Sequence, residues 1–176
     1  MMTTQWWDIA PLGWENILVC LICGTLVGLE RQLRGKPVGI RTSSLIVLGT
    51  YCFLAIGAAV SPQSADQARV LGQLITGVGF LGAGVMMTRD GHVLGVTSAA
   101  TIWMLAALGA LIGMEMLHQA LLLTGVTLAI LVGVDYLETS FKSLRRGVHN
   151  RLESWRSGNA QPAATHRDEL GGSIEK

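Results

Sequence analysis

The chain has 176 residues, of which 50% are hydrophobic and only 14% are charged. Soluble domains average about 25% charged residues, so this composition is not that of an ordinary soluble domain. The formal net charge of +1 gives no bulk attraction to nucleic acid, and no nucleic-acid partner is expected.

Five stretches of the sequence contain no Lys, Arg, Asp or Glu and are rich in Leu, Ile, Val, Ala and Gly. They cover residues 16–29, 42–65, 70–88, 93–114 and 116–134. A spanning helix needs about 20 mostly apolar residues, and four of the stretches approach or exceed that length. A soluble bundle would show charges along one face of each helix, and these stretches show none. The sequence therefore predicts an all-α, polytopic membrane helix bundle of about five transmembrane helices in the lipid bilayer.

The Lys and Arg residues between the stretches predict the orientation of the chain. Over alternating connections, twelve of them fall on one side and only Arg69 falls on the other. Since cytoplasmic loops carry the excess of Lys and Arg, the N-terminus is predicted outside and the C-terminus in the cytoplasm. Trp6, Trp7 and Trp14 suit an anchor at the outer interface. The first stretch lacks the basic start of a signal peptide and is expected to remain in the mature protein.

Three segments are expected along the chain. Residues 1–138 are predicted to form the transmembrane domain. Residues 139–157 mix basic and apolar side chains, which is typical of a short amphipathic cytoplasmic helix on an anionic inner leaflet. Residues 158–176 are predicted to be a disordered tail, because they hold too few apolar residues to form a core.

Small residues at four-residue spacing allow transmembrane helices to approach closely. The first helix carries Gly24 and Gly28 at this spacing, and the fourth carries Gly109 and Gly113. The third helix has the densest glycines, so we expect it at the centre of a tight bundle. The same spacing would also suit the face of a homo-oligomer, and the sequence does not separate the two. The expected packing core is Gly24, Gly28, Gly77, Gly79, Gly82, Gly84, Gly109 and Gly113.

No motif in the sequence indicates catalysis, a cofactor or a metal site, and the chain is not expected to be an enzyme. Gly77, Gly79 and Gly82 spell a dinucleotide fingerprint, but they lie inside an apolar run without the acidic residue that such a site needs. Cys20 and Cys23 have no second cysteine pair and are interpreted as packing residues. Carboxylates at the ends of the first and fifth helices suit a divalent cation, but nothing in the sequence brings them together.

A few polar residues are candidates for function. Glu30 and Arg31 end the first helix, where they form either an ion or partner site or a self-neutralising pair at the interface. Polar residues on the third helix either join helices by hydrogen bonds or line a polar pathway, and those that open the fourth helix cap it or bond to a neighbour. Gly91 predicts a turn before the fourth helix. The full set of polar candidates is Asp66, Gln73, Thr76, Asp90, Thr97, Thr101 and Trp103.

Three sequence blocks closely resemble the MgtC/SapB family of membrane proteins. They are GLERQLRGKPVGIRT at residues 28–42, TGVGFLGAGVMM at residues 76–87 and GVTSAATIW at residues 95–103, in matching order and spacing. By this resemblance, one set of residues forms the family's cytoplasmic loop signature: Glu30, Arg31, Gly35, Lys36, Gly39, Arg41 and Thr42.

The resemblance implies a multi-pass protein of the bacterial inner membrane, associated with magnesium homeostasis, growth under magnesium limitation and, in pathogens, virulence. Members are often labelled magnesium transporters, but the better-supported picture is a regulator of other membrane proteins, with the membrane ATP synthase as a proposed target. Many members carry a soluble ACT-like domain after the membrane part, and this sequence resembles the membrane-only form. We expect a non-enzymatic regulator and keep transport of magnesium or another small ion as the alternative.

Overall fold

The described part of the molecule consists of five helices and one short hairpin. The computed structural model describes residues 9–61, 63–89 and 92–140. The expected anchor residues Trp6 and Trp7, the candidate Asp90 and the tail beyond residue 140 lie outside them. The elements are α1 Trp14–Leu33, α2 Ile40–Val60, α3 Ser64–Gly84, β1 Met87–Arg89, β2 His92–Leu94, α4 Val96–Gly113 and α5 Leu117–Ser140.

The helices end at residues that interrupt helical geometry. α1 is followed by Gly35, whose φ of 62° lies in the left-handed region that glycine tolerates. α2 stops at Val60, just before a Ser-Pro pair, and proline disfavours helical geometry in the residue that precedes it. α4 begins after Gly95, which has a φ of 91° and where a Cβ atom would collide with the carbonyl oxygen of Val85. Glycine is therefore required where the chain enters α4.

The connection between α3 and α4 is an antiparallel hairpin. Met87 pairs with Leu94, and Arg89 pairs with His92. The sequence predicted a turn here but not the strands, because three residues are too few to show a two-residue periodicity.

α1 and α2 approach each other closely through two glycines of α1. A Cβ atom on Gly24 would lie 2.5 Å from Ser44 Cα, and one on Gly28 would lie 2.5 Å from Ile40 Cα. No real side chain fits at such a distance from another backbone. The four-residue spacing of these glycines therefore allows the backbones of α1 and α2 to touch, as small residues do in transmembrane helix pairs.

α4 packs against α2 in the same way. A Cβ atom on Gly109 would collide with the carbonyl oxygen of Val47, and one on Gly113 would lie 2.8 Å from Leu54 Cβ. The core of the bundle is consequently the α1–α2–α4 layer, where these helices make their most extensive contacts. Its largest fully buried side chains include Val27, Val47, Tyr51, Ile102, Leu105, Leu108 and Ile112.

The structure differs from the expectation that α3 forms the centre of the bundle. α3 lies at the side of the core, and Cβ atoms on Gly77, Gly79 and Gly84 would have nothing within 4 Å outside their own helix. Of these four α3 glycines, only Gly82 lies near another helix. A Cβ atom added to Gly82 would lie 3.7 Å from Ala99 Cβ. Glycine density marks a face that can approach another backbone, but it does not say whether that backbone belongs to the same chain.

Hydrogen bonds at both ends of the bundle show the relative direction of α1 and α4. At one end, Arg31 near the end of α1 donates to the Ser98 hydroxyl at the start of α4. At the other, Asn16 Nδ2 donates to Glu115 Oε1 between α4 and α5 over 2.9 Å. α1 and α4 therefore run in opposite directions. We call these the Arg31 end and the Glu115 end.

The apolar lengths of the helices confirm a polytopic membrane protein. Within the described residues, four helices are long and apolar enough to cross a membrane: Trp14–Leu33, Ile40–Val60, Val96–Gly113 and Leu117–Val134. α3 has 21 residues, but Asp66, Arg69 and its many glycines lower its hydropathy. At about 1.5 Å per residue it is nevertheless about 30 Å long, and it connects the end of α2 to the hairpin that leads into α4. This path is consistent with the expected fifth crossing.

α5 presents one buried face and continues into a second structural unit. Ala120, Thr124 and Thr127 are buried on this helix, and the two threonine hydroxyls donate to the carbonyl oxygens one turn earlier. The first unit comprises Met1–Gly133 and the second Val134–Lys176, of which residues 134–140 complete α5.

Candidate functional site at the Arg31 end of the bundle

Glu30 and Arg31 occupy the last turn of α1 and are both largely withdrawn from solvent. Glu30 Oε1 forms an ion pair with Arg34 Nε over 2.6 Å, one helical turn further on, and the Glu30 side chain is 9% exposed. Arg31 is 3% exposed. The two neighbouring residues thus point to different partners, Arg34 and Ser98, and they do not neutralise each other through a direct ion pair among the described residues.

Each of these two side chains has one buried atom without a hydrogen-bond partner. The atoms are Glu30 Oε2, which can only accept when ionised, and Arg31 Nε, which can only donate. Buried polar atoms in folded proteins are nearly always paired, so such exceptions call for an explanation. The interpretation of Glu30 and Arg31 as a self-neutralising pair at the interface does not account for these two buried, unpaired atoms.

The rest of the loop signature shapes the connection between α1 and α2. Gly35 turns the chain, and Gln32 Oε1 accepts a hydrogen bond of 3.4 Å from the Ile40 amide at the start of α2. The signature residues with exposed side chains are Lys36, Arg41 and Thr42, while Gly39 lies against Gln32. Lys36 and Arg41 form no described ion pair with Glu30 or Arg31.

The remaining polar candidates do not join this site. Asp66 accepts hydrogen bonds from the Ser61 hydroxyl and from Arg69 Nη2, the latter over 2.9 Å, at the start of α3. Thr76 donates to the Gly72 carbonyl on its own helix, and Thr101 donates to the Thr97 carbonyl on its own helix. The Thr76 and Thr101 hydroxyls thus find their hydrogen-bond acceptors within their own helices, and they form no polar pathway within the described residues.

Two open apolar clefts flank α3. The α2–α3 cleft has a volume of about 1020 Å³, and its lining includes Phe53, Gln73 and Gly77. The α3–α4 cleft has a volume of about 370 Å³ and is lined on the α4 side by Trp103, which is half-exposed. Both clefts follow from the peripheral position of α3, which leaves its sides uncovered.

Sequence reasoning missed two residues that organise the ends of the bundle. Tyr51 is buried in the core, and its hydroxyl oxygen accepts a hydrogen bond of 2.7 Å from the Gly13 amide ahead of α1. Asn16 is buried and reaches Glu115. A polar Asn at the start of an apolar run was a usable signal, because such a residue must find a partner at depth.

Comparison with known proteins identifies the family. The sequence model of the MgtC family matches residues 17–140. The chain belongs to the MgtC family. Within it, the chain is 34% identical over 143 residues to the Escherichia coli K12 protein named "Putative magnesium transporter YhiD". The aligned residues cover 77% of this chain and 65% of that protein.

Two further MgtC relatives are similar at the same level. The chain is 38% identical over 113 residues to Protein MgtC of Salmonella typhimurium LT2, covering 64% of this chain and 48% of that protein. It is 35% identical over 128 residues to Protein MgtC of Brucella abortus 2308, covering 72% of this chain and 53% of that protein. The chain thus spans between about half and two thirds of the length of these relatives. No solved structure matches the chain.

Proposed function

We propose that the protein is a non-catalytic regulator of other membrane proteins and acts by receiving a transmembrane helix of its partner beside α3. The observation that carries this proposal is the α2–α3 cleft, which is apolar, open and about 1020 Å³ in volume. Gly49, Gly57 and Gly77 line it. Helices associate in a bilayer through close backbone approach at small residues, so a glycine-lined cleft suits a partner helix.

The distribution of charges supports a regulator over a carrier. Carriers of divalent cations hold carboxylates or unwound backbone near the bilayer midplane. In the helices of this chain, the charged residues lie near helix ends, such as Glu30 and Arg31 in α1 and Asp66 and Arg69 in α3, and α4 has none.

The proposed setting is the inner membrane of a bacterium during adaptation to low magnesium, with the membrane ATP synthase as a candidate target. The family resemblance supports this setting, and so does the name of the Escherichia coli relative, which refers to magnesium. The proposed link to virulence has the same basis. A homo-oligomer is a further possible use of the same face of α3.

Photo-crosslinking tests the proposal at the cleft itself. A photoreactive phenylalanine analogue replaces Phe53, which is exposed and lines the α2–α3 cleft, in cells grown at low magnesium. We expect a discrete adduct with another membrane protein, and mass spectrometry then identifies that protein. The matched control places the same analogue at Leu18, which is equally exposed on α1 but outside both clefts.

The comparison with Leu18 distinguishes a partner bound at the cleft from non-specific crosslinking of exposed positions. An adduct at Phe53 that is absent at Leu18, and that disappears when Gly77→Phe fills the cleft, supports a partner helix. Identical patterns at Phe53 and Leu18, or no protein adduct at either, contradict the proposal. An adduct with a second copy of the chain would assign the cleft to a homo-oligomer instead.

Transport of magnesium or another small ion is the second candidate. Glu30 Oε2 favours it, because a buried carboxylate oxygen without a partner at the end of a helix is a natural contact for a cation. Flux of magnesium into liposomes that contain the purified protein tests this alternative.

A further inference from the structure

Arg31 has no direct ion-pair partner among the described residues, although the adjacent Glu30 carboxylate attracts it. Arg31 is 3% exposed, and its Nη2 donates to the neutral hydroxyl of Ser98. Its Nε is buried without a partner, and no ion pair of Arg31 occurs among the described residues. A buried charge is stable only when it is paired and hydrogen-bonded, and one neutral hydroxyl does not meet that requirement.

The group nearest to the Arg31 guanidinium is the first turn of α4. Ser98 is the third residue of this 18-residue helix, and Gly95 before it supplies no side chain to cap the helix. The first amides of an α-helix have no acceptor within the helix, and this end carries a partial positive charge. A buried cation thus lies against the positive end of a helix, which is unfavourable unless an anion contacts both.

Glu30 supplies one negative charge, which Arg31 shares with Arg34. Its Oε1 is bound to Arg34 at 2.6 Å, and its Oε2 is buried without a hydrogen-bond partner. Lys36 and Arg41 add further positive charge nearby in the chain. The uncompensated charge at the Arg31 end is therefore positive, and an anion fits it better than a cation.

We propose that a phosphate-type oxyanion binds beside the hydrogen bond from Arg31 to Ser98 and contacts both the Arg31 guanidinium and the first turn of α4. Guanidinium groups and helix N-termini both match the geometry of phosphate oxygens. The source is either free inorganic phosphate or the phosphate of a phospholipid headgroup, since this end of the bundle lies at a membrane interface. The site is independent of the proposed regulatory function and does not require it.

Binding is measured on the purified full chain, freed of lipid in a neutral, phosphate-free detergent. One arm titrates radiolabelled inorganic phosphate, and the other follows binding of phosphatidylglycerol against diacylglycerol with the same chains by native mass spectrometry. We expect saturable binding at one site in one arm, and that arm names the source. Arg31→Gln weakens it by at least about tenfold, as loss of a charged hydrogen bond does.

Two further variants keep the test decisive if Arg31→Gln does not fold. Ser98→Ala weakens binding several-fold because it frees the guanidinium from its position. Glu30→Gln tightens binding, since it removes a negative charge close to the anion. Arg89→Gln is the matched control, because it removes the same charge from strand β1 of the hairpin that leads into α4 and leaves the affinity unchanged.

Three results would overturn the proposal. One is folded protein that binds neither inorganic phosphate nor phosphatidylglycerol in a saturable way. Another is an equal loss of affinity in Arg31→Gln and Arg89→Gln, which would indicate attraction to charge in general. The third is saturable binding of magnesium that Glu30→Gln abolishes, with no dependence on Arg31, which would make this a cation site.

Discussion

Gly28 of α1 and Ile40 of α2 lie so close together that a Cβ atom on Gly28 would stand 2.5 Å from Ile40 Cα. The contact brings the end of α1 against the start of α2. It therefore fixes the direction in which the side chains of Glu30 and Arg31, two and three residues later, project from α1. The geometry of the charged site thus depends on an apolar contact one turn away.

Replacing Gly28 by Ala should destabilise the protein. The added methyl group meets backbone atoms that cannot move independently, and such overpacking costs about 1–3 kcal/mol. Gly77→Ala is the matched control, because an added Cβ atom there meets nothing within 4 Å and alanine favours a helix by up to about 1 kcal/mol. Thermal unfolding in detergent, followed by circular dichroism, measures both. Equal stabilities of the two variants would contradict the assignment of the α1–α2 contact.

Tyr51→Phe should lower stability by about 1 kcal/mol, because the Gly13 amide loses the hydroxyl oxygen that accepts its hydrogen bond. Tyr136→Phe makes the same chemical change at an exposed position on α5 and should have no effect. The same unfolding measurement applies, and a destabilisation as large in Tyr136→Phe as in Tyr51→Phe would count against the structural role of this hydrogen bond.

The helices and their contacts were predictable from the sequence to different extents. The apolar stretches located all five helices to within six residues at either end, because a span must be both long and free of charge. The spacing of Gly24 and Gly28 indicated a close helix contact. The spacing of the α3 glycines indicated the same property but not its partner, and the central position expected for α3 was not found.

The candidate site was predictable only in part. Glu30 and Arg31 stood out as charges at the end of an apolar run. The contact between Arg31 and Ser98 joins residues that are 67 positions apart, and no local pattern encodes such a pairing. Serine and threonine at the start of a helix are also common caps, so Ser98 carried no distinctive signal.

The orientation of the chain in the membrane remains a prediction from its charges. Lys36→Cys and Gln63→Cys place single exposed thiols at the Arg31 end and near the Glu115 end. A membrane-impermeant maleimide should label Lys36→Cys only in inverted vesicles and Gln63→Cys only in right-side-out vesicles, since the basic loop is predicted to face the cytoplasm. Labelling with the opposite sidedness would reverse the orientation.

Filling the cleft between α2 and α3 should abolish the function of the protein and leave its stability almost unchanged. Gly77→Phe fills the α2–α3 cleft from a position where an added Cβ atom meets nothing within 4 Å, so the protein should fold with little change in stability. On the proposal that the membrane ATP synthase is the target, the original chain should alter ATP-driven proton pumping in inverted membrane vesicles and the Gly77→Phe protein should not. Leu18→Phe, a similar enlargement on the exposed face of α1, should keep the effect. Full activity in the Gly77→Phe protein would exclude this cleft as the docking site.

Magnesium flux into liposomes tests most directly whether the chain is a regulator or a carrier. The purified protein is reconstituted with a magnesium-sensitive dye inside, and an added ionophore confirms that the dye responds. Our account predicts flux no greater than that of protein-free liposomes, from protein shown to be folded and inserted. Flux that saturates with magnesium and falls on Glu30→Gln would contradict the account and make the chain a transporter.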